Sequence, residues 1–419
     1  MQGRIPRFAH AWQIYGAVGL AVVPMITAAL GQSIGSRPRV AVYASVGEEL
    51  IEFSVDVEHA TLTRQSSVKL PGFVQEAWAS PSAPFLYVAW SNGGTSYAGS
   101  GVVPVGDRHG VTAFRLDRSG ALHAEGAPGV LRSRPIHITG DTSARHLLVA
   151  YNDPSGISVH TINGDGTVGS EVPQPGALDV GIYAHQVRVL PGNKGVILVT
   201  RGNQATSTTR EDPGAVKVFR YDDGRLSNVA SIAPSNGLGF RSRHLDFHPT
   251  GPWVFLTLES QNRLEVFTRS GDSLSAAPLF SKSTLSGGGG VMAGQTTSSI
   301  HVHPNGQFVY VANRGATPTN SNDIAVFRIN QQTGEPTLIQ NIATHGYTPR
   351  TFAVDPSGRL LVVGNQNTMD ARNGATVETV PANLSVFRIA ADGMLAYVNR
   401  YDLAVGRKPL WWMGLAPLP

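Results

Sequence analysis

From Arg39 to the C-terminus, hydrophobic positions fall in short bursts separated by Gly, Pro, Asn, Asp and Ser. β-Branched and aromatic residues dominate the bursts, as in Phe308-Val-Tyr-Val-Ala312 and Trp253-Val-Phe-Leu-Thr-Leu258. Such side chains suit a pleated surface, and bursts this short predict strands rather than helices. The clearest unit runs from Ser299 to Arg314. Residues 300–302 form one strand, His303-Pro304-Asn305-Gly306 a turn, and residues 308–312 the returning strand. The turn combines the fixed φ of Pro with the permissive φ of Gly.

The same unit recurs along the chain. Aligned on the first turn residue, it reads Arg243-His-Leu-Asp-Phe-His248-Pro-Thr-Gly251 and Arg350-Thr-Phe-Ala-Val-Asp355-Pro-Ser-Gly358. More worn copies turn at Leu190, at Ser80 and near Gly140, where the register floats by one residue. Each hairpin is followed by a third strand of shared pattern, such as Val216-Lys-Val-Phe-Arg-Tyr221 or Ile324-Ala-Val-Phe-Arg-Ile329, and then by a Gly/Asp turn into a short fourth. Four strands repeating about every 50 residues predict a β-propeller. Residues 40–44 and 50–55 supply a second and a third strand with no inner strand before them, while residues 408–415 read as an inner strand with nothing after it. The C-terminal strand is therefore expected to complete blade one, which closes the ring and removes an exposed sheet edge. The fold predicted is all-β: a seven-bladed propeller of four-stranded antiparallel blades, one domain over residues 39–419. Insertions at 93–110, 201–214 and 369–381 read as long polar loops after the second strands of blades two, four and seven.

Composition sharpens this picture. Gly (47) and Pro (27) are abundant and charged residues make up only 15%, as expected of many short strands and tight turns. The absence of Cys excludes disulfides, thiolate metal sites and a cysteine nucleophile. Arg4 and Arg7 precede an uncharged, apolar stretch at 11–31, ending in Ala29-Leu30-Gly31. Residues 1–31 read as a secretory signal peptide, with an uncleaved anchor as the alternative, so an exported protein is expected. No other stretch is long and apolar enough to span a membrane. The formal charge of +4 falls to +2 without Arg4 and Arg7. That balance, with no basic run interleaved with aromatics, argues against a nucleic-acid partner.

Two positions of the repeat carry candidate chemistry. The start of the first strand and the end of the second lie side by side in a hairpin, and the innermost strands line the central channel. Both positions therefore crowd one mouth of that channel. Five residues before the turn stand His185, Arg243, Ser298 and Arg350; eleven residues after it stand Arg201, Glu259, Arg314 and Gln366. Strand ends that only had to pack would not need this set. Several guanidiniums in a low-dielectric funnel attract an anion and fork onto a carboxylate or phosphate. Glu259 beside Arg243 is expected to stay ionised and to orient or deprotonate a water, and His185 to exchange a proton near neutral pH. The set suits addition to, or elimination from, a lactone of a sugar acid or dicarboxylate. Other features are expected to be structural. Ser286-Gly-Gly-Gly-Gly290 lacks the ending of a phosphate loop, His303 is a turn residue, His301 has no third partner for a metal, and Trp411 and Trp412 pack at the closure.

The units Arg243-His244 with His248-Pro-Thr-Gly251, His303-Pro-Asn-Gly306 through Asn313-Arg314-Gly315, and Thr348-Pro-Arg350 through Gly364-Asn-Gln366 resemble the seven-bladed lactonase family. This family includes bacterial 6-phosphogluconolactonases and fungal carboxy-muconate lactonizing enzymes. The likeness extends from about Arg39 to the C-terminus and is strongest from blade four onward. It implies a catalytic His, Arg, Glu and second Arg, which map onto His185, Arg243, Glu259 and Arg314. Symmetry adds Arg201, Arg350 and Gln366 as substrate-binding positions. The activity implied is metal- and cofactor-independent hydrolysis of an anionic sugar-acid lactone by a monomer. A muconate-type cycloisomerase and a non-catalytic binding propeller are the alternatives. A signal peptide sits poorly with 6-phosphogluconolactone itself, a cytoplasmic metabolite.

Overall fold

The computed structural model describes residues 39–93, 106–288, 291–373, 376–406 and 408–419. The signal-peptide segment and most of the 93–110 insertion lie outside them. Among the described residues the strands form seven antiparallel blades, and the C-terminal strand is the innermost member of the first. Leu410–Pro417 pairs antiparallel with Val40–Val46, placing Ala44 opposite Met413 and Val40 opposite Pro417. Blade five divides its outer strand between Ser273–Leu274 and Phe280–Ser283. One expectation is corrected. The 369–381 insertion is not a polar loop but a hairpin of Met369–Asn373 and Thr376–Val380. Its Thr-Val-Glu-Thr-Val alternation is strand-like, a pattern that the polar residues of the segment obscure.

The second strands are buried along all or nearly all of their length because each blade is sandwiched between two others. In Trp253–Leu258, Trp253 and Phe255 pack into the core shared with blade six. Val254, Leu256 and Leu258 face the core shared with blade four. Period-two alternation therefore persists, but both faces are apolar. Seven such cores are present, one for each pair of neighbouring blades, including the seven–one junction. Each fully buried Val, Leu or Phe contributes about 1.5–3 kcal/mol relative to exposure.

The turn residues join successive blades. His248 donates from Nε2 to the Gly306 carbonyl at 2.8 Å and accepts the Gly251 N–H on Nδ1 at 2.7 Å. His303 repeats the arrangement one blade on, donating to the Gly358 carbonyl at 2.8 Å and accepting from Asn305 N–H. Both acceptor residues must be Gly. Gly306 and Gly358 have φ of +74° and +70°, and a Cβ would lie 2.6 Å and 2.5 Å from the imidazole of the preceding blade. His303 is thus an inter-blade latch.

The innermost strand carries a β-bulge in every blade, at the place where the first of the two chemical positions falls. Opposite the second strand the register slips around Gln75, Ile136, His185, Arg243–His244, Ser298–Ser299, Arg350 and Trp411–Trp412. An uninterrupted strand points successive side chains to opposite faces. A bulge breaks that rule and re-aims one of them. Two consecutive residues of each blade are thereby free to face the channel.

Candidate active site

Glu259 is the hub of the mouth. It directly follows the second strand of blade five, and its carboxylate takes three guanidiniums from three blades. Arg201 Nη1 lies 2.7 Å from Oε2, Arg243 Nε 3.2 Å from Oε1, and Arg314 Nη2 2.5 Å from Oε1. All are well buried except Arg201, whose side chain is 20% exposed. The Arg201 guanidinium carbon also sits over the Tyr183 ring, 4.1 Å from its centre. Tyr183 holds φ at +58°, a strained setting for a bulky residue, and its carbonyl accepts the Arg201 N–H at 2.9 Å.

Burial alone would raise the Glu259 pKa, but Arg201, Arg314 and Arg243 outweigh it and hold the carboxyl well below the usual range. So stabilised an anion is a weak base. Glu259 stays ionised, as expected, and its geometry is that of a counter-ion gathering cations. His185 departs from expectation. Burial, and then Arg243, Arg201, Arg350 and Arg314, press its pKa well below the ordinary histidine value. The imidazole is neutral at physiological pH and is a base, not an acid, in its resting state. Its Nδ1 is buried without a hydrogen-bond partner.

The other positions divide. Arg350 turns toward blade one, donating from Nε to the Trp411 carbonyl at 3.1 Å and stacking on the Trp411 ring at 3.7 Å. It still acts electrostatically on His185 and Arg243. Trp411 therefore does more than pack the closure. Gln366 is fully buried. Ser298 is structural, its hydroxyl donating to the Pro349 carbonyl at 2.6 Å. The mouth thus holds four arginines against one carboxylate, a net +3 with His185 neutral.

A second tier of groups was missed by sequence reasoning. Beyond the arginines the channel opens into a cavity of about 370 Å³ whose lining includes Glu76, His137, His244, Ser299, Thr351 and Trp412. These are the residues just after the bulge position. The His244 ring lies 5.0 Å from that of His185 and 6.1 Å from that of His137. Arg188, Asp246 and His301 follow two residues further along, with Arg188 Nη2 3.0 Å from Asp246 Oδ1. Strict alternation would turn the residue after the bulge position away from the channel, and nothing in the sequence announces a bulge. Among the described residues no group of three or more His, Asp or Glu side chains is placed to hold a metal.

Glu76 yields a testable consequence. Burial pushes its carboxyl up to about 8, against the opposing pull of Arg350, a Trp412 hydrogen bond and Arg243. The folded state therefore binds this proton more tightly than the unfolded chain, whose carboxyl titrates near ~4.3. Stability falls as pH rises from the unfolded value to the folded one, and is flat above it. Glu76→Gln should match wild type near pH 5 and unfold at a higher temperature at pH 8. Melting both proteins from pH 5 to pH 9 checks this, and a constant offset at every pH would refute it.

Comparison with known proteins agrees with this architecture. The family model described as "Lactonase, 7-bladed beta-propeller" matches residues 38–376. A 6-phosphogluconolactonase of Bacillus subtilis is 29% identical over 270 residues, 62% of this chain and 71% of its own. One from Erwinia tasmaniensis is 27% identical over 360 residues, covering 84% and 90%. Among solved structures, a Pseudomonas aeruginosa periplasmic gluconolactonase aligns with a TM-score of 0.65 at 19% identity, covering 91% of this chain and 100% of its own. A Lactobacillus plantarum protein gives 0.65 at 21%, covering 87% and 96%. These two share the fold. With the family model spanning most of the propeller, the chain belongs to the seven-bladed β-propeller lactonases.

Proposed function

We propose that this protein hydrolyses the lactone of an anionic sugar acid at the arginine-lined mouth. One observation carries the reading: three arginines surround a single carboxylate, and a fourth, Arg350, adds its charge beside an unprotonated imidazole. A buried excess of positive charge suits an anionic ligand. The guanidiniums hold the anionic group and stabilise the oxyanion that develops on the carbonyl. His185 takes a proton from water as its oxygen adds to the carbonyl carbon. The tetrahedral intermediate collapses, the ring C–O bond breaks, and the leaving oxygen takes that proton back from the imidazolium. Glu259 keeps Arg201, Arg243 and Arg314 aligned throughout. The relatives named 6-phosphogluconolactonase support lactone hydrolysis. We read residues 1–31 as an export signal, which favours a substrate met outside the cytoplasm.

A pH-stat assay over aldonolactones with and without a phosphate, run with and without EDTA, tests this reading. Hydrolysis of at least one anionic lactone at a rate unchanged by EDTA is expected. No turnover anywhere in the panel would remove the enzymatic reading, and loss of activity in EDTA would remove the metal-free one.

A further inference from the structure

The cavity beyond the arginines is a space separate from the mouth. All seven inner strands line it, yet His185, Arg201, Arg243, Glu259 and Arg314 do not. Its lining runs on to Val354, the last residue before a strand-linking turn. Exposure rises in that direction. The Arg243, Arg314 and Glu259 side chains are 1%, 3% and 8% exposed, whereas those of Arg188 and His301, nearer the turns, are 27% and 38% exposed. The cavity therefore opens on the face opposite the mouth. His244 joins the two spaces. It lines the cavity, and its ring centre lies 5.0 Å from that of His185 in an edge-on contact. His137 follows on the cavity side at 6.1 Å.

Hydrolysis of a lactone releases one net proton. Water supplies the oxygen that adds to the carbonyl and the proton that ends on the opened ring oxygen. The new acid then ionises beside the arginines. A ligand held by the arginines covers the mouth, and the net +3 there opposes the passage of another cation. We propose that the cavity is a second entrance for solvent: His244 passes the released proton from His185 to water in the cavity, and the next hydrolytic water arrives from the same side. This rests on the lactone reading above. A neutral imidazole can carry the proton, because one nitrogen accepts while the other donates. The volume of about 370 Å³ holds on the order of ten waters, with Glu76, His137, Arg188 and His301 as polar partners. Near the open end Asp246 balances Arg188 at 3.0 Å, so a departing proton meets no excess of positive charge there.

His244→Ala tests this, because it deletes the carrier and leaves a gap that free imidazole can fill. On an anionic lactone that wild type hydrolyses, kcat should fall about 10- to 100-fold, at the low end of what proton-transfer groups contribute, with KM unchanged. Added imidazole should restore kcat, and methylimidazoles of higher pKa should restore more of it. A loss of packing alone would not follow base strength. His301→Trp narrows the cavity at its open end, far from His185. It should lower kcat without changing KM and, combined with His244→Ala, should blunt the rescue by imidazole. Melting curves establish that each variant is folded, and if His244→Ala is not, His301→Trp decides alone. Wild-type kcat in the folded variants, a change confined to KM, or a rescue indifferent to base strength or to His301→Trp would each overturn the proposal and leave hydrolysis standing. No turnover of any anionic lactone by wild type would remove hydrolysis, and the second entrance with it.

Discussion

Glu259→Gln is expected to cost roughly 3–5 kcal/mol of stability, the range for removing one partner of a buried ion pair. The change is nearly isosteric, so no cavity confuses the result. It leaves the Arg201, Arg243 and Arg314 guanidiniums facing each other with no anion between them. Urea unfolding at pH 7 measures the loss. Two further outcomes separate electrostatics from packing. Added sulfate should raise the midpoint of the variant more than that of wild type, by supplying the missing counter-charge. The gap should also close in acid. The folded carboxyl titrates well below its unfolded value, so its contribution is present above about 4.3 and is lost as pH falls toward the folded value. A variant as stable as wild type at pH 7 would show that the cluster does not depend on this carboxylate.

His185→Asn should leave the ring folded and lower kcat roughly 10²- to 10⁴-fold, the usual contribution of a positioned general base, with little change in KM. The pH profile carries a sharper signature. The imidazole must be unprotonated to act, and burial with four neighbouring arginines holds its pKa well below the ordinary value. Wild-type kcat/KM should therefore show no inflection near ~6.5 and should decline only in more acid solution. A half-maximal rate near that ordinary value, or a variant with wild-type kcat, would remove His185 from proton transfer.

Much of the fold was legible because the repeat is written in turn chemistry. His248-Pro-Thr-Gly251 and His303-Pro-Asn-Gly306 mark the same corner, and the unpaired strands at the two ends of the sequence name each other as partners. The convergence of His185, Arg201, Arg243, Glu259 and Arg314 followed from register alone, since symmetry brings equivalent positions to one mouth. What the register did not convey was how the charges settle. Glu259 stays ionised as read, but the arginines lower the proton affinity of the carboxylate and of the imidazole alike, so His185 rests neutral and does not titrate near neutral pH. The second tier was hidden for a geometric reason: Glu76, His137 and His244 face the channel only because a bulge precedes or includes them. The hairpin in the 369–381 insertion was hidden because its strand pattern is short and polar.

The bulge in each inner strand bears on how such proteins diversify. It supplies every blade with a pair of adjacent positions released from strict alternation, some of which also tie neighbouring blades together, as Ser298 does to the Pro349 carbonyl and Arg350 to Trp411. Gln75, Ile136, His185, Arg243, Ser298, Arg350 and Trp411 already show how widely one such slot can drift within a single ring. Selection can therefore rewrite the inventory at the mouth one blade at a time, while the backbone of the ring stays the same.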